Sequence, residues 1–407
     1  MSASGTTLER DVVIVGAART PIGRFGGALA DVPAHELGAV AVRGALARAT
    51  VGAADVEEVI LGQVGQVGAD AYNARRVAVT AGIPVTSTAM NVNRLCGSGL
   101  QAVITAAHSI RNGDAVTVVA GGNESMSGQP FLLYGERLGF RLGDRTAVDG
   151  TMSLVTDPFG GYAMGETAEQ VADRFGVDRL AQDEFAYVSQ QRAGQAIKEG
   201  RFRDQIEPVS VSSRAGAISV DTDEHPRPDI TREDLAKLRP AFRENGTVTV
   251  GNSSGINDGA AALVLMGADA ARRRGVPARA RLVASAVCGI EPGIMGYAPV
   301  AAVQKALDRA GLDAEDLDVI ELNEAFAAQA VAVIRDSQLD ESKVNPNGGA
   351  IALGHPVGAT GAILTVKLLA ELERSGGRYG LVTMCIGGGQ GIAAIFEQLP
   401  VAGGDPA

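Results

Sequence analysis

Apolar runs alternate with amphipathic segments along the chain, and the same order of elements occurs twice. VVIVGAARTPIGRFGG in the first half and RLVASAVCGIEPGIMGYAP in the second are each typical of a strand followed by a glycine-rich loop. A helical segment follows in both places and then a short apolar run, VEEVILG or LDVIEL. The pattern predicts strand, loop, helix and strand in each half.

The repeat is also visible in the residues themselves. ALARATVGAAD at 45–55 matches ALDRAGLDAED at 306–316 at six of eleven positions. Further along each half, a glycine-punctuated helix precedes a continuous apolar run: CGSGLQAVITAAHSI before AVTVVAGG, and GATGAILTVKLLAEL before YGLVTMCIGGG. Apolar runs of this kind predict mostly parallel sheets covered on both faces. We therefore expect an α/β protein with two duplicated βαβ-rich halves.

An insertion of different composition separates the two halves. We predict that residues 1–126 and 258–277 form the N-terminal half, 127–257 an inserted loop domain, and 278–407 the C-terminal half. The insertion contains scattered aromatic residues, a helical stretch at 177–199 and a charged, turn-rich segment, DTDEHPRPDITREDL. These features suit a lid or an oligomer contact, and equally a surface excursion with its own small core.

Composition narrows the class of partner. Lysine and arginine total 36 against 47 aspartate and glutamate, a net charge of −11, which argues against a nucleic-acid partner. An anionic ligand would have to be held by local groups and helix N-termini. Glycine makes up 53 of 407 residues, nearly twice the usual share of about 7%. That excess indicates turns and close approaches of the backbone.

The location of the protein is predicted from its cysteines and from its apolar runs. Three cysteines without a C-x-x-C pair or neighbouring histidines argue against a disulfide framework and against a structural zinc site, and we expect no metal. The polar start MSASGTTLERD does not resemble a secretory leader, and no uncharged apolar run reaches about 18 residues. We expect a soluble, cytoplasmic protein that does not enter a membrane.

Four residues stand at predicted strand ends or helix starts, where ligand sites of α/β proteins lie. Cys96, in NRLCGSGLQ, precedes a helix whose dipole would lower its thiol pKa, although a buried cysteine is more often a small hydrophobe. Cys385 precedes three glycines that can form an anion nest. His355 lies in the glycine-rich GHPVGATG, and Asn323 ends a strand. A dinucleotide fingerprint is not met, because Ile392 stands where glycine is needed.

Taken together, the motifs resemble those of the thiolases, the family of acetyl-CoA acetyltransferases and 3-ketoacyl-CoA thiolases. The resemblance runs from VVIVGAARTPIGRFGG through NVNRLCGSGLQA, GGNESMS, GNSSGINDGAAA and NEAFA to NPNGGAIALGHPVGATGA and CIGGGQGIA. It implies a layered α-β-α-β-α fold with an inserted loop domain. It also implies acyl-CoA substrates, with coenzyme A thioesters as reactants and no separate cofactor.

The resemblance assigns a role to each candidate residue. Cys96 would be the acylated nucleophile, His355 its base and Cys385 the acid/base at the α-carbon of acetyl-CoA. Asn323 would hold a water beside the enolate, and the backbone N–H of Gly387 would complete an oxyanion site with that of Cys96. Contacts to coenzyme A and the acyl group fall to Arg227, Ser254, Phe242, Phe326, Met164 and Met295.

Several functions fit the resemblance. The leading one is an acetyl-CoA C-acetyltransferase, which condenses two acetyl-CoA to acetoacetyl-CoA or runs the reverse thiolysis. The alternatives are a degradative 3-ketoacyl-CoA thiolase, including a β-ketoadipyl-CoA type, and a non-catalytic relative that binds acyl-CoA or lipid. Ala163 stands in GYAMG where biosynthetic members have histidine, which predicts a roomier, less polar wall. The resemblance also implies a homotetramer, a dimer of dimers paired through the loop that begins near Gln129.

Overall fold

The two halves of the chain build one strand order twice. The computed structural model describes residues 11–213 and 216–400. The strands of this part lie at Val12–Arg19 (β1), Gly23–Arg24 (β2), Glu58–Gly62 (β3), Thr88–Val92 (β4), Thr117–Ser125 (β5), Phe131–Leu132 (β6), Val148–Asp149 (β7), Val209–Ser213 (β8), Gly216–Val220 (β9), Asn257–Gly267 (β10), Ala280–Gly289 (β11), Val319–Leu322 (β12), Tyr379–Ile386 (β13) and Gln390–Gln398 (β14).

The helices connect and cover these strands. They lie at Ala34–Ala49 (α1), Asn73–Thr80 (α2), Ser98–Asn112 (α3), Gly150–Leu154 (α4), Met164–Phe175 (α5), Arg179–Lys198 (α6), Arg232–Ala236 (α7), Ala268–Arg274 (α8), Pro299–Ala310 (α9), Ala327–Asp336 (α10), Ala350–Leu353 (α11) and Thr360–Ser375 (α12). Short 3-10 turns lie at Ala53–Asp55, Gly68–Tyr72, Glu136–Leu138, Pro292–Tyr297, Ala314–Asp316 and Glu341–Lys343.

Strand order confirms the duplication. The first half runs β1-β10-β5-β3-β4 and the second β11-β14-β13-β12. An isolated parallel bridge between Ile320 and Val344 takes the place of β4 in the second half. The two halves join into one sheet through β1 and β11, which pair only at Val13 and Ile14 of β1. Helix, 3-10 turn and strand follow one another identically in α1 to β3 and in α9 to β12.

The prediction of mostly parallel sheets is wrong. Among the strands of the described residues, only β3 with β4, β3 with β5, and β12 with β13 pair in parallel. In contrast, β10 pairs antiparallel with β1 and β5, and β14 with β11 and β13. The continuous apolar runs do reflect burial on both faces, as in β5, where every residue is buried. Burial on both faces produces that pattern whichever way the neighbouring strands run, so it does not report strand direction.

The structure has five layers, three of helices and two formed by the two halves of the sheet. Helices α3 and α12 pack against each other in the middle, where they share one apolar core with the inner faces of both halves. Helices α1 and α2 cover the outer face of the first half. Helices α9 and α10 cover that of the second. This is the predicted α-β-α-β-α arrangement.

A junction of glycines lets the two central helices start close to the strand ends. A Cβ at Gly62 would lie 2.5 Å from the carbonyl carbon of Ser98, and one at Gly122 would lie 2.2 Å from the carbonyl oxygen of Gly358. Contacts this short exclude any side chain. The start of α3, next to Cys96, and the loop before α12 therefore sit directly on the ends of β3 and β5.

The long segment between β5 and β10 leaves the sheet. These strands are antiparallel neighbours, with Ser125 paired to Asp258, so the residues between them form an excursion from one end of this strand pair. Its helix α6 confirms the helix predicted at 177–199, and α5 and α6 pack on α10 and α11 of the second half. The boundaries given above for the three domains stay a prediction.

Candidate active site

A tight turn between β4 and α3 presents Cys96. The hydroxyl of Ser98 accepts a hydrogen bond from the Arg94 N–H (2.9 Å) and donates one to the Leu95 carbonyl (2.6 Å). Leu95 has a φ of +46°, a left-handed conformation that is strained for a leucine. A Cβ at Gly97 would lie 2.6 Å from Cδ1 of Ile386. The turn thus brings Cys96 against the end of β13, where Cys385 lies.

One cavity brings the reactive candidates together. It has a volume of about 220 Å³, and Cys96, His355, Cys385 and Gly387 all line it. They come from separate parts of the chain: the turn before α3, the loop before α12, the end of β13 and the β13–β14 turn. The rest of the wall is mostly apolar and includes Leu95, Met126, Met152, Leu154, Val155, Ala163, Ile256, Ala325 and Val357.

Hydrogen bonding fixes the tautomer of His355. Its Nδ1 lies 2.7 Å from Oγ1 of Thr360, and that hydroxyl donates its own proton to the Pro356 carbonyl at 3.0 Å. The hydroxyl can therefore only accept from the ring, which places the proton on Nδ1 and leaves the Nε2 lone pair available. Burial lowers the pKa of His355 to about 4, so the ring is neutral near pH 7. A neutral imidazole with an unprotonated Nε2 can act as a base.

The thiol pKa of Cys96 departs from expectation. We expected the α3 dipole to lower it, but burial raises the pKa of Cys96 above its ordinary value. The backbone N–H groups of Gly387 and of Cys96 itself hydrogen-bond the sulfur and pull the other way with less effect, and the nearby Glu124 raises it further. The prediction failed because desolvation outweighs a helix terminus two residues away. Ionisation of Cys96 therefore depends on a base.

Cys385 is held as a thiol. Its side chain is 1% exposed, and burial followed by the charge of Cys96 raises its pKa far above the ordinary value. A negative charge on the Cys96 sulfur thus opposes ionisation of the Cys385 thiol. Cys385 can thus hold a proton while a neighbouring group is charged.

The three glycines after Cys385 form the turn between β13 and β14. Gly388 and Gly389 have φ of +78° and +81°, a region that favours glycine. This turn directs the Gly387 N–H at the Cys96 sulfur. Two backbone donors thus converge on the sulfur, the arrangement of an oxyanion site.

Asn323 is buried behind the cavity wall. The turn after β12 contributes Ala325 and Phe326 to the lining, but not Asn323. Its backbone N–H donates to the Thr383 carbonyl at 3.0 Å, and both of its amide side-chain atoms lack a hydrogen-bond partner within the described residues. The amide is therefore available to a small polar molecule, and its role in holding water stays a prediction.

Most of the predicted substrate contacts lie on the cavity. Its walls include Ser254, Phe242, Phe326, Met164 and Met295. The rings of Phe242 and Phe326 meet edge to face with centroids 6.0 Å apart. Arg227 is not part of this wall: it lies exposed on the loop after β9, where its backbone N–H donates to Gln190 at 2.7 Å.

Three supporting residues escaped the sequence reasoning. Thr360 orients His355 from five positions away, within the same glycine-rich motif. That short spacing could have predicted the contact. Asn257 accepts the His355 backbone N–H at 2.9 Å, and Glu124 accepts the Gly358 N–H at 2.9 Å. These two belong to other strands, and only the fold brings them to the loop.

Residues 11–213 and 216–400 contain neither a metal-binding cluster nor a membrane-spanning helix. No group of three or more histidine, cysteine, aspartate or glutamate side chains there is placed to hold a metal ion. Over the same residues, no helix has the length and apolar character needed to cross a membrane.

Two family models together match most of the chain. Residues 12–269 match the thiolase N-terminal domain and residues 276–398 the thiolase C-terminal domain. Beta-ketothiolase BktB of Cupriavidus necator is 54% identical over 394 residues, which cover 96% of this chain and 100% of the relative. An acetyl-CoA acetyltransferase of Pseudomonas aeruginosa is 51% identical over 391 residues, 96% of this chain and 100% of the relative.

Solved structures of similar sequence superpose closely on this chain. The acetyl-CoA acetyltransferase of Bacillus anthracis superposes with a TM-score of 0.94 at 45% identity, covering 96% of this chain and 99% of that one. Human mitochondrial 3-ketoacyl-CoA thiolase in complex with CoA gives 0.93 at 42% identity, with the same coverage of both chains. The duplicated layers, the two free cysteines that line one cavity and these matches lead to one conclusion: the chain belongs to the thiolase family.

Proposed function

We propose that this thiolase is an acetyl-CoA C-acetyltransferase that works by ping-pong acyl transfer through a thioester on Cys96. The observation that carries the proposal is the shared cavity, where a neutral His355, a protonated Cys385 and two backbone N–H donors surround one sulfur. The relatives named acetyl-CoA acetyltransferase support the choice of acyl group.

In the first half-reaction, Nε2 of His355 takes the Cys96 proton as the sulfur attacks the thioester carbon. The backbone N–H groups of Cys96 and Gly387 hold the oxyanion that forms. The carbon–sulfur bond to coenzyme A then breaks, and its thiolate leaves with the proton of Cys385. Acyl-Cys96, imidazolium and the Cys385 thiolate remain, so charge and protons balance.

In the second half-reaction, the Cys385 thiolate takes a proton from the α-carbon of acetyl-CoA. The imidazolium of His355, and in this proposal a water held by Asn323, stabilise the enolate oxygen. The α-carbon attacks the acyl carbon, and the Cys96 thiolate that is expelled recovers its proton from His355. Acetoacetyl-CoA leaves, and all three groups return to their starting protonation.

Acyl chain length decides between the two catalytic alternatives. Ala163 is the residue before α5 and lines the cavity together with Met164 and Met295. An alanine there favours substituted or longer acyl groups, which supports the degradative 3-ketoacyl-CoA reading as the second candidate, including the β-ketoadipyl-CoA type. The names beta-ketothiolase and 3-ketoacyl-CoA thiolase among the relatives agree with it.

Turnover of a 3-ketoacyl-CoA series tests this choice. We expect acetoacetyl-CoA to give the highest kcat/KM, and Ala163→His to lower the kcat/KM of longer substrates more than that of acetoacetyl-CoA. A maximum at longer chains would favour the degradative reading. Equal discrimination by both forms would refute the role of Ala163. Absence of turnover with every member of the series would favour the non-catalytic, acyl-CoA-binding alternative.

We further propose a cytoplasmic homotetramer. Within the described sheet, β4 is an edge strand with Met90 41% exposed, and an exposed edge of this kind favours pairing with a second copy. The loop after Gln129 exposes apolar side chains, the largest being Phe131, Leu133, Tyr134, Leu138, Phe140 and Leu142. The three unpaired cysteines suit a reducing compartment. Light scattering that reports a monomer would refute the assembly.

Arg227 completes the proposed substrate contacts. Its exposed position on the loop after β9 leaves its guanidinium accessible to a phosphate of coenzyme A. We expect Arg227→Ala to raise KM for acetyl-CoA severalfold and to leave kcat unchanged, because the contact would be remote from the reacting atoms.

A further inference from the structure

Glu124 is a buried carboxylate that the reaction steps above do not use. It lies near the end of β5 and is 0% exposed. Its Oε2 accepts hydrogen bonds from the backbone N–H groups of Val64 and Gly358, both at 2.9 Å, and its Oε1 accepts one from Gly65 at 3.0 Å. Two loops that are distant in sequence thus donate to one side chain.

Those two loops border the reactive groups. Gly358 is three residues after His355 and two before Thr360, so its anchor fixes the loop that carries the base. Val64 follows β3 and packs in one small apolar cluster with Leu95 and Cys96. Movement of either loop would change the distance between the base and the sulfur.

The charge of Glu124 also acts on Cys96. Among the causes that raise the Cys96 pKa is the field of this carboxylate. Burial raises the pKa of Glu124 itself to about 7, with Asp70 adding to the effect. Asp258 of the neighbouring β10 bonds Ser127 instead. A charge that opposes ionisation of the nucleophile is unfavourable for catalysis, so its presence calls for a positional role.

We propose that Glu124 is a positioning residue of the acyl-transfer site, which ties the His355 loop to the loop after β3 and places its charge beside Cys96. The proposal rests on the acylation of Cys96 proposed above. It predicts that the hydrogen bonds and the charge of Glu124 have separable effects.

Two substitutions separate them. Glu124→Ala leaves three buried N–H groups without a partner and should slow acylation of Cys96 by about 100-fold, the effect of displacing a base by about 1 Å. KM for acetyl-CoA should stay within a factor of about two, because no residue of the coenzyme contact changes. In Glu124→Gln the amide oxygen can keep the bonds to Val64 and Gly358, which should restore acylation to within about fivefold of the native rate.

Thiol alkylation reports the charge. The rate at which iodoacetamide modifies the Cys96 peptide is measured against pH by mass spectrometry, which separates Cys96 from the other two cysteines. Glu124→Gln removes a negative charge, so the midpoint of this profile should move to lower pH. The matched control is Glu169→Gln, because Glu169 is a buried carboxylate that also accepts backbone N–H bonds, from Thr247 and Val248, outside the cavity wall. Its midpoint should match the native one.

The outcomes are distinct. Acylation at the native rate in a folded Glu124→Ala would overturn the proposal, as would failure of Glu124→Gln to improve on it. If Glu124→Ala does not fold, the alkylation profile of Glu124→Gln decides, and an unchanged midpoint overturns the proposal. Failure of the underlying reaction would look different, because native protein would then form no acyl-Cys96 at all.

Discussion

Replacement of Thr360 by valine tests how His355 becomes a base. Valine has nearly the same shape as threonine but cannot accept the Nδ1 proton of His355, a bond of 2.7 Å in a site where Thr360 is 2% exposed. A buried donor without a partner costs about 1–3 kcal/mol. If the ring instead moves its proton to Nε2, it can no longer take the Cys96 proton. Either change slows acylation.

The size of the effect follows from that range. A loss of 1–3 kcal/mol in the transition state corresponds to about a 5- to 150-fold slower formation of acyl-Cys96. Rapid-quench measurement of acyl-Cys96 from acetyl-CoA gives the rate, and thermal unfolding checks that the fold is intact. Thr360→Ser keeps the hydroxyl and should stay within about threefold of the native rate. Native acylation by Thr360→Val would refute the assignment of the tautomer.

Three further predictions concern buried polar groups. The low pKa of His355, about 4, means that the unfolded chain binds its proton first as the pH falls below about 6.5, so the histidine destabilises the fold by about 2 kcal/mol at pH 5. The free energy of unfolding, measured with urea at about pH 7.5 and pH 5, should fall by this amount more in the native protein than in His355→Gln. Lys367 donates to Glu321 at 2.6 Å, with both side chains buried. In denaturant titrations, Lys367→Met should therefore lower the free energy of unfolding by about 3–5 kcal/mol. The double variant with Glu321→Leu should lower it by less, because no buried charge is left without a partner. Asn323→Leu should leave the burst of acylation unchanged and slow condensation, measured as acetoacetyl-CoA formation, by about 100-fold; equal slowing of both steps would contradict the role of Asn323.

The sequence was most informative where the pattern is local. The repeat between 45–55 and 306–316 predicts matching helices, turns and strands, and the structure confirms them. The glycine-rich motifs around Cys96, His355 and Cys385 predict loops at strand ends, and all three residues line one cavity. Each of these features depends on residues close together in the chain.

Strand direction and the thiol pKa of Cys96 were harder to predict from the sequence. The three-glycine turn after Cys385 is short enough to require that β13 and β14 pair antiparallel, but the long apolar runs on either side suggested parallel strands. The helix start near Cys96 suggested a low thiol pKa, and only the folded cavity reveals how much burial opposes it. Asn257 and Glu124 act on the His355 loop across more than 90 residues of sequence, a distance over which no pattern can be read.

Location of the acyl group tests the central claim most directly. Cys385→Ala is mixed with acetyl-CoA, quenched and digested, and the acetylated peptide is identified by mass spectrometry. The account predicts acetyl on Cys96, formed more slowly than in the native protein because Cys385 no longer protonates the leaving thiolate. It also predicts no acetoacetyl-CoA, and no label in a matched Cys96→Ala sample. Acetyl found on Cys385 of the native protein, with Cys96 unmodified, would contradict it.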